Sequence, residues 1–178
     1  RKSWLAKPYE LPTKNSFMTT DFKRTVELSR EHVLSDFDCG VLQLNSWLRN
    51  SALRNQKENT SRTFVLVSDE KVLAFYCLAA ANIERELLPN TKQRNSPRDV
   101  PLISLGKLAV AIEFQGLGIG ALLLRDAIAR SLAATEHVAA KFMRVDAKDD
   151  DVAKFYERFG FTADPNNPLA LYLKFPKK

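Results

Sequence analysis

Two cysteines, two histidines and six glycines are all that this 178-residue chain holds of those three residue types. Cys39 and Cys77 are too few for a disulfide framework, and with His32 and His137 isolated no recurrent metal-ligand spacing is present. No metal is expected. There is also no run of about 18 apolar residues, which excludes a membrane-spanning helix, and Pro8 and Pro12 fall where a signal peptide has its apolar core. A cytoplasmic protein with no membrane contact is therefore expected.

What is present is enough for one substantial core: 45% of the residues are hydrophobic, among them 11 phenylalanines. Lysine and arginine outnumber aspartate and glutamate by 27 to 21, a net charge of +6 that favours an anionic partner without identifying it. Residues 1–20, with two prolines and no periodicity, read as an extended arm, and residues 21–178 as a single domain.

Asp38-Cys39-Gly40 reads as a turn, followed by Val41, Leu44, Trp47, Leu48 and Ala52 at the spacing of one amphipathic helix. Thr63–Val67 and Val72–Ala79, joined by a short polar turn, predict a hairpin. Residues 83–100 read as an exposed, locally basic loop or short helix. Leu102–Ile112 is a third strand, with Gly106 as a bulge or point of close approach. A long helix follows Gly120, with Arg125, Asp126 and Arg130 on its polar side. Phe142–Ala147 predicts a strand, Asp149 a helix cap, Val152, Phe155, Tyr156 and Phe159 a short apolar stripe ended by Gly160, and Leu169–Leu173 the last strand.

Three of the six glycines crowd into Phe114-Gln115-Gly116-Leu117-Gly118-Ile119-Gly120, between a strand and a helix. Amides at a helix N-terminus lack intrahelical partners and face the positive end of the helix dipole, so this arrangement suits a phosphate. No Lys-Ser or Lys-Thr follows, which excludes a nucleotide-hydrolysing P-loop, and the G-x-G-x-G spacing does not fit the dinucleotide fingerprint.

Gln115–Gly120 instead resembles the [QR]-x-x-G-x-[GA] motif of the GNAT superfamily of N-acetyltransferases, and Asp149–Phe161, DDDVAKFYERFGF, is similar to its N-x-x-A-x-x-F-Y-x-x-x-G-F segment. Asp36–Gly40, Leu48, Ser61–Val65, Leu105–Val110 and Val145–Asp149 further resemble the GNAT toxins of bacterial type II toxin–antitoxin pairs. The resemblance implies an α/β (α+β) GNAT fold: a mixed, mostly antiparallel sheet flanked by helices and splayed into a V at the acetyl-CoA site. It implies acetyl transfer from acetyl-CoA to the α-amine of aminoacyl-tRNA, inhibition of translation, a ribbon-helix-helix antitoxin and a homodimer.

Carried over by position, the resemblance assigns acetyl-CoA to Leu108, Ala109, Val110, Gln115, Gly116, Leu117, Gly118, Ile119, Gly120 and Asp149. An amide near Val110 meets the thioester carbonyl, the amides from Gln115 to Gly120 meet the pyrophosphate, and Tyr156 is the general acid that protonates the leaving sulfur. Ala111 stands where these toxins commonly have Asp, so no base is assigned there. Arg85, Lys92, Arg94 and Arg98, with Arg62 as a further candidate, are expected to meet RNA phosphates. An N-acetyltransferase for a protein or small amine is the alternative, and a non-catalytic coenzyme A module a third reading, disfavoured by Tyr156 and the complete glycine loop.

Overall fold

A computed structural model of the chain describes residues 25–176, so the arm assigned to residues 1–20 lies outside the described residues. A seven-stranded sheet runs in the order β1-β2-β3-β4-β5-β7-β6. Its strands are β1 (Val26–Glu27), β2 (Arg62–Ser68), β3 (Lys71–Glu84), β4 (Asp99–Val110), β5 (Phe142–Asp146), β6 (Thr162–Asp164) and β7 (Asn167–Lys174). Every neighbouring pair is antiparallel except β4 and β5. The expected hairpin is β2 and β3, while β1 and β6, two and three residues long, carry too few side chains to show a period.

The helices are α1 (Leu42–Asn50), α2 (Ala52–Lys57), α3 (Asn90–Gln93), α4 (Ile119–Ala134) and α5 (Asp150–Glu157). The single helix expected from Val41 to Ala52 is two, because Ser51 leaves helical dihedrals at φ −123° and lets Leu48 and Ala52, both at 0% exposure, enter the core from separate axes. The third strand starts and ends earlier than expected, since Ile112–Phe114 is a 3-10 turn and Asp99 pairs with Glu84. Between those two residues the basic stretch forms a 3-10 turn at Arg85–Leu87 and then α3.

Helices α4 and α5 cover one face, where Tyr76, Leu105, Leu123, Leu124, Ile128, Met143, Val145 and Leu171 are buried. On the other face α1 and α2 enclose Phe37, Leu48, Val65 and Phe75, and the 85–98 segment encloses Val100, Leu102, Phe142 and Tyr172 further along the sheet. Asp126, expected on the solvent side of α4, is drawn inward: its Oδ2 accepts hydrogen bonds from Tyr76 Oη, Thr25 Oγ1 and, at 2.9 Å, Arg130 Nε. The Arg130 guanidinium in turn lies 4.3 Å from the centroid of Phe64. Such a charge is tolerated below the surface because it is paired and hydrogen-bonded.

Candidate active site

The site begins where the two parallel strands part. β4 and β5 pair only from Leu102 with Phe142 to Leu105 with Val145. Gly106 is the residue left out where the β3–β4 register shifts, Cys77 opposing Lys107 and Leu78 opposing Leu105. A Cβ there would stand 3.2 Å from Cys77 Sγ, so the expected bulge is also a close approach. Beyond it Ala111 N–H donates to Leu73 O at 2.8 Å, and Ala109 pairs with Phe75. Strand alternation therefore turns the N–H groups of Leu108 and Val110 away from β3 and into the gap. Leu105–Val110, Val145, Asp146 and Lys148 line that gap, with Val152 and Tyr156 from the α4–α5 face and Cys39, Val41 and Leu44 from the other. The cleft, about 360 Å³, thus passes through the sheet from one face to the other.

The glycine loop closes one end. Gly116 (φ 76°) and Gly118 (φ 81°) are left-handed, a region costly for residues with a Cβ, whereas Gly120 is inside α4. This turn delivers α4 with the amides of Gly116, Leu117, Gly118, Ile119 and Gly120 unpaired among the described residues; the first helical bonds are Ala121 and Leu122 N–H to Gly118 O. Gly116, Gly118 and Gly120 of this run line a cavity of about 960 Å³ whose walls also include Arg125, Phe155, Arg158 and Gly160. Donors, dipole and two guanidinium groups suit a pyrophosphate.

Gln115 has a different role from the amide donor expected of it. Its N–H is occupied by Ile112 O, and its side-chain Nε2 donates to Val110 O at 2.9 Å and Cys39 O at 3.1 Å. It ties the end of β4 to the turn before α1, a turn fixed in its own right by Asp38 Oδ1, which accepts from Gly40 N–H and Asn45 Nδ2. The Gly40 hydrogen bond holds the Asp38 carboxyl below its ordinary range.

Tyr156 reaches the gap from α5. Asp149 caps that helix, its Oδ1 accepting from Val152 N–H at 2.9 Å, and Asp150 and Asp151 follow in the first turn. Asp149 thus has the capping role, its Oδ2 standing 3.6 Å from Lys148. The Tyr156 ring packs edge-on to Phe155 at 5.3 Å and against Phe161 at 5.6 Å, as an apolar stripe demands. Its hydroxyl has no hydrogen-bond partner among the described residues, and burial pushes the phenol up to about 12. A protonated, unengaged O–H facing the cleft is able to donate a proton.

The basic candidates separate into two groups. Arg85 and Arg98 meet at the tip of the β3–β4 hairpin, Arg85 N–H donating to Arg98 O, and Arg85 is paired with Glu86 at 2.9 Å. That tip is roughly 30 Å of strand from Leu108. Lys92 and Arg94 instead join Lys141 and Lys174 around a cavity of about 460 Å³. Lys92 Nζ and the Arg144 guanidinium share the Tyr172 ring at 5.8 and 5.9 Å, and Arg144 Nη2 donates to Asp146 Oδ1 at 2.8 Å, at the cleft. Burial lowers the Lys92 ammonium; for Arg144 burial is outweighed by Asp146, and the guanidinium is held more firmly protonated. Lys107 completes the run on the same face, 4.5 Å above Trp47. Arg62 belongs elsewhere, paired with Glu27 at 3.3 Å beside a cavity it shares with Arg30, Arg54 and Lys57.

A splayed pair of parallel strands, a left-handed glycine turn and unpaired amides at the start of α4 form one arrangement, and the family model for the acetyltransferase (GNAT) domain matches it over residues 59–163. The chain belongs to the GNAT acetyltransferase family. As such it is an N-acetyltransferase dependent on acetyl-CoA. It is 38% identical over 140 residues to the tRNA-acetylating toxin of Mycobacterium tuberculosis, covering 79% of this chain and 84% of that protein. Among solved structures it is similar to AtaT complexed with acetyl-methionyl-tRNAfMet, at a TM-score of 0.77 and 28% identity over 85% of this chain and 94% of that one. It is also similar to a variant of the AtaT toxin bound to the C-terminus of the antitoxin AtaR and acetyl-CoA, at a TM-score of 0.72 and 26% identity over 85% and 92% of the two chains.

Some residues at the site, Arg125 and Arg144 among them, lie outside the stretches that carry the resemblance, whereas Asp146 lies within one of them, Val145–Asp149. Arg125 on α4 and Arg158 just after α5 reach the glycine-loop cavity from the polar sides of amphipathic segments. Arg144 and Asp146 had a legible signal: in Phe142-Met143-Arg144-Val145-Asp146 the charged residues alternate with Met143 and Val145, marking one wet face. Among the described residues no group of three or more His, Cys, Asp or Glu is placed to hold a metal, and no helix is long and apolar enough to cross a membrane.

Proposed function

We propose that this GNAT enzyme is a toxin that transfers the acetyl group of acetyl-CoA to the α-amine of aminoacyl-tRNA and so blocks translation in the cytoplasm. The observation that carries the reading is the line of cations from the Lys92, Arg94, Lys141 and Lys174 cavity through Arg144 to the mouth of the cleft. An RNA 3′ end entering there would place its backbone phosphates along these side chains. The relatives named for tRNA acetylation support the same acceptor. The amine of an aminoacyl ester is less basic than a lysine side chain, so part of it is neutral at physiological pH and competent to attack.

On this reading Tyr156 protonates the departing sulfur, the N–H groups of Leu108 and Val110 meet the thioester carbonyl, and Gly116–Gly120 hold the pyrophosphate. Lys92 and Arg94 are the RNA contacts of first rank; Arg85 and Arg98 serve only if the RNA extends to the hairpin tip. A ribbon-helix-helix antitoxin and a homodimer complete the proposal. Leu42, next to the cleft residue Val41, Ile112, beside Gly40, and Leu117, in the glycine loop, are 80%, 53% and 39% accessible, which suits a protein partner.

The test is incubation with labelled acetyl-CoA and, in parallel, charged tRNA, uncharged tRNA, a lysine-containing peptide and a polyamine. Label on charged tRNA alone, recovered as N-acetyl-aminoacyl ester, is expected. Label on the peptide or polyamine with charged tRNA unmodified would establish the alternative acetyltransferase instead.

A further inference from the structure

The residue after β4 is not a carboxylate: Ala111 is 6% exposed and packed in the core beneath α1 and α2, and Glu113 in the following turn is not among the residues that line the cleft. A carboxylate nevertheless reaches the cleft from the opposite wall. Asp146 ends β5 and lines the gap together with Lys107, Leu108, Val110 and Tyr156. Met143 and Val145 lie in the α4–α5 core, so alternation places Arg144 and Asp146 on the other face, the face of the cation line. Tyr156 belongs to the α4–α5 side of the same gap. A thioester lying between β4 and β5 would therefore have its sulfur near Tyr156 and its open face toward Asp146.

The two carboxylate oxygens of Asp146 are not equivalent. Oδ1 accepts from Arg144 Nη2 at 2.8 Å, which fixes the side chain. Oδ2 has no partner among the described residues. Arg144 is itself held over Tyr172, so the carboxylate is oriented by a packed side chain. The ionisable groups facing this corner are Arg144 and Tyr172 from β5 and β7, Lys107 from β4, Lys148 before α5, Tyr156 on α5 and Asp164 at the end of β6.

We propose that Asp146 Oδ2 receives the acceptor's α-amino group and takes the proton that its nitrogen sheds during acetyl transfer. This rests on the acetyl-transfer reading above and adds the group missing from it. The neutral nitrogen uses its lone pair to form the C–N bond to the thioester carbonyl carbon, and the C=O π pair moves onto oxygen, facing the Leu108 and Val110 amides. The nitrogen, now cationic, passes one proton to Asp146 Oδ2. The C=O bond then re-forms as the C–S pair leaves with sulfur, which takes the Tyr156 proton. The proton on Asp146 returns through water to the Tyr156 phenolate, so nothing is oxidised and the products are the amide and the free thiol.

Asp146→Asn and Asp146→Glu separate this role from a structural one. In single-turnover transfer to charged tRNA, D146N is expected to lose about 10²–10⁴-fold in rate with acetyl-CoA affinity unchanged, and D146E to regain part of it. A second readout needs no acetyl-CoA: wild type should bind charged tRNA more tightly than uncharged tRNA, and D146N should erase that preference. A D146N rate within about threefold of wild type, with the preference intact, would overturn the proposal. So would loss of acetyl-CoA affinity in D146N, which would make Asp146 a wall of the cleft. Wild-type enzyme inert on charged tRNA would instead sink the acceptor assignment, and the same D146N comparison on the amine it does acetylate would then decide Asp146.

Discussion

On the proposed reaction, the two faces of the sheet meet two binding problems with different materials. On the α4–α5 face most of the ligand groups are backbone, five amides of a left-handed glycine turn and two more of a strand that has parted from its neighbour, with Arg125, Arg158 and Tyr156 beside them. On the face of α1, α2 and the 85–98 segment they are side chains, Lys92, Arg94, Lys107, Lys141, Arg144, Asp146 and Lys174, from four separate stretches of chain. A backbone site is built once for an invariant part of a cosubstrate and tolerates little change. A site of exposed side chains on a fixed sheet can alter its charge pattern without disturbing the fold, which suits the variable partner of the reaction.

Substitutions should reveal that contrast as different kinds of loss. The largest is expected at the meeting point: Tyr156→Phe should lower turnover about 10²–10⁴-fold while calorimetry shows unchanged acetyl-CoA binding. Because the protonated phenol is the active form and burial raises its titration to about 12, wild-type turnover should not decline from pH 8 to 10 through loss of this donor. Next comes the cofactor face, where Gly118→Ala puts a Cβ at φ 81°. A cost of about 1–2 kcal/mol should appear as roughly five- to thirtyfold weaker acetyl-CoA binding with RNA affinity retained.

Reversing Lys92 and Arg94 to glutamate should do the opposite. The KM for charged tRNA should rise, the slope of log affinity against log salt should fall by about one per lost phosphate contact, and acetyl-CoA binding should not move. Equal salt slopes for wild type and variant would place the RNA elsewhere. Asp149→Ala should have the smallest effect on chemistry. It removes the cap of α5 and costs about 1 kcal/mol of stability, visible as a lowered Tm.

The cofactor side was readable in the sequence because backbone demands leave marks in residue type. Left-handed dihedrals select glycine at positions 116 and 118, a cap selects Asp149, and a helix stop at φ 89° selects Gly160. Gln115 kept its place in the motif but not its expected role, since only the fold reveals that Cys39 O and Val110 O lie within reach of its side chain. The acceptor side was hidden because its members meet only through strand pairing: Arg144 reaches Tyr172 across β5 and β7, and Lys141 reaches Arg94 O at 3.2 Å. Nearness along the chain grouped Arg85 and Arg98 with Lys92 and Arg94, but the pairing of Glu84 with Asp99 carries the first two to the hairpin tip. The break at Ser51 leaves no mark in the sequence because Leu48 and Ala52 keep helical spacing across it.

The central claim is that acetyl-CoA and the acceptor enter the cleft from opposite faces and meet between Leu108–Val110 and Asp146. Amide hydrogen exchange of wild-type protein with acetyl-CoA alone, and separately with N-acetylated aminoacyl-tRNA, tests it most directly. Protection of residues 108–120 by acetyl-CoA, and of α1 and residues 85–98 and 141–146 by the tRNA, is the predicted pattern. Protection of α4 and α5 by the tRNA, with residues 85–98 and 141–146 unaffected, would contradict it.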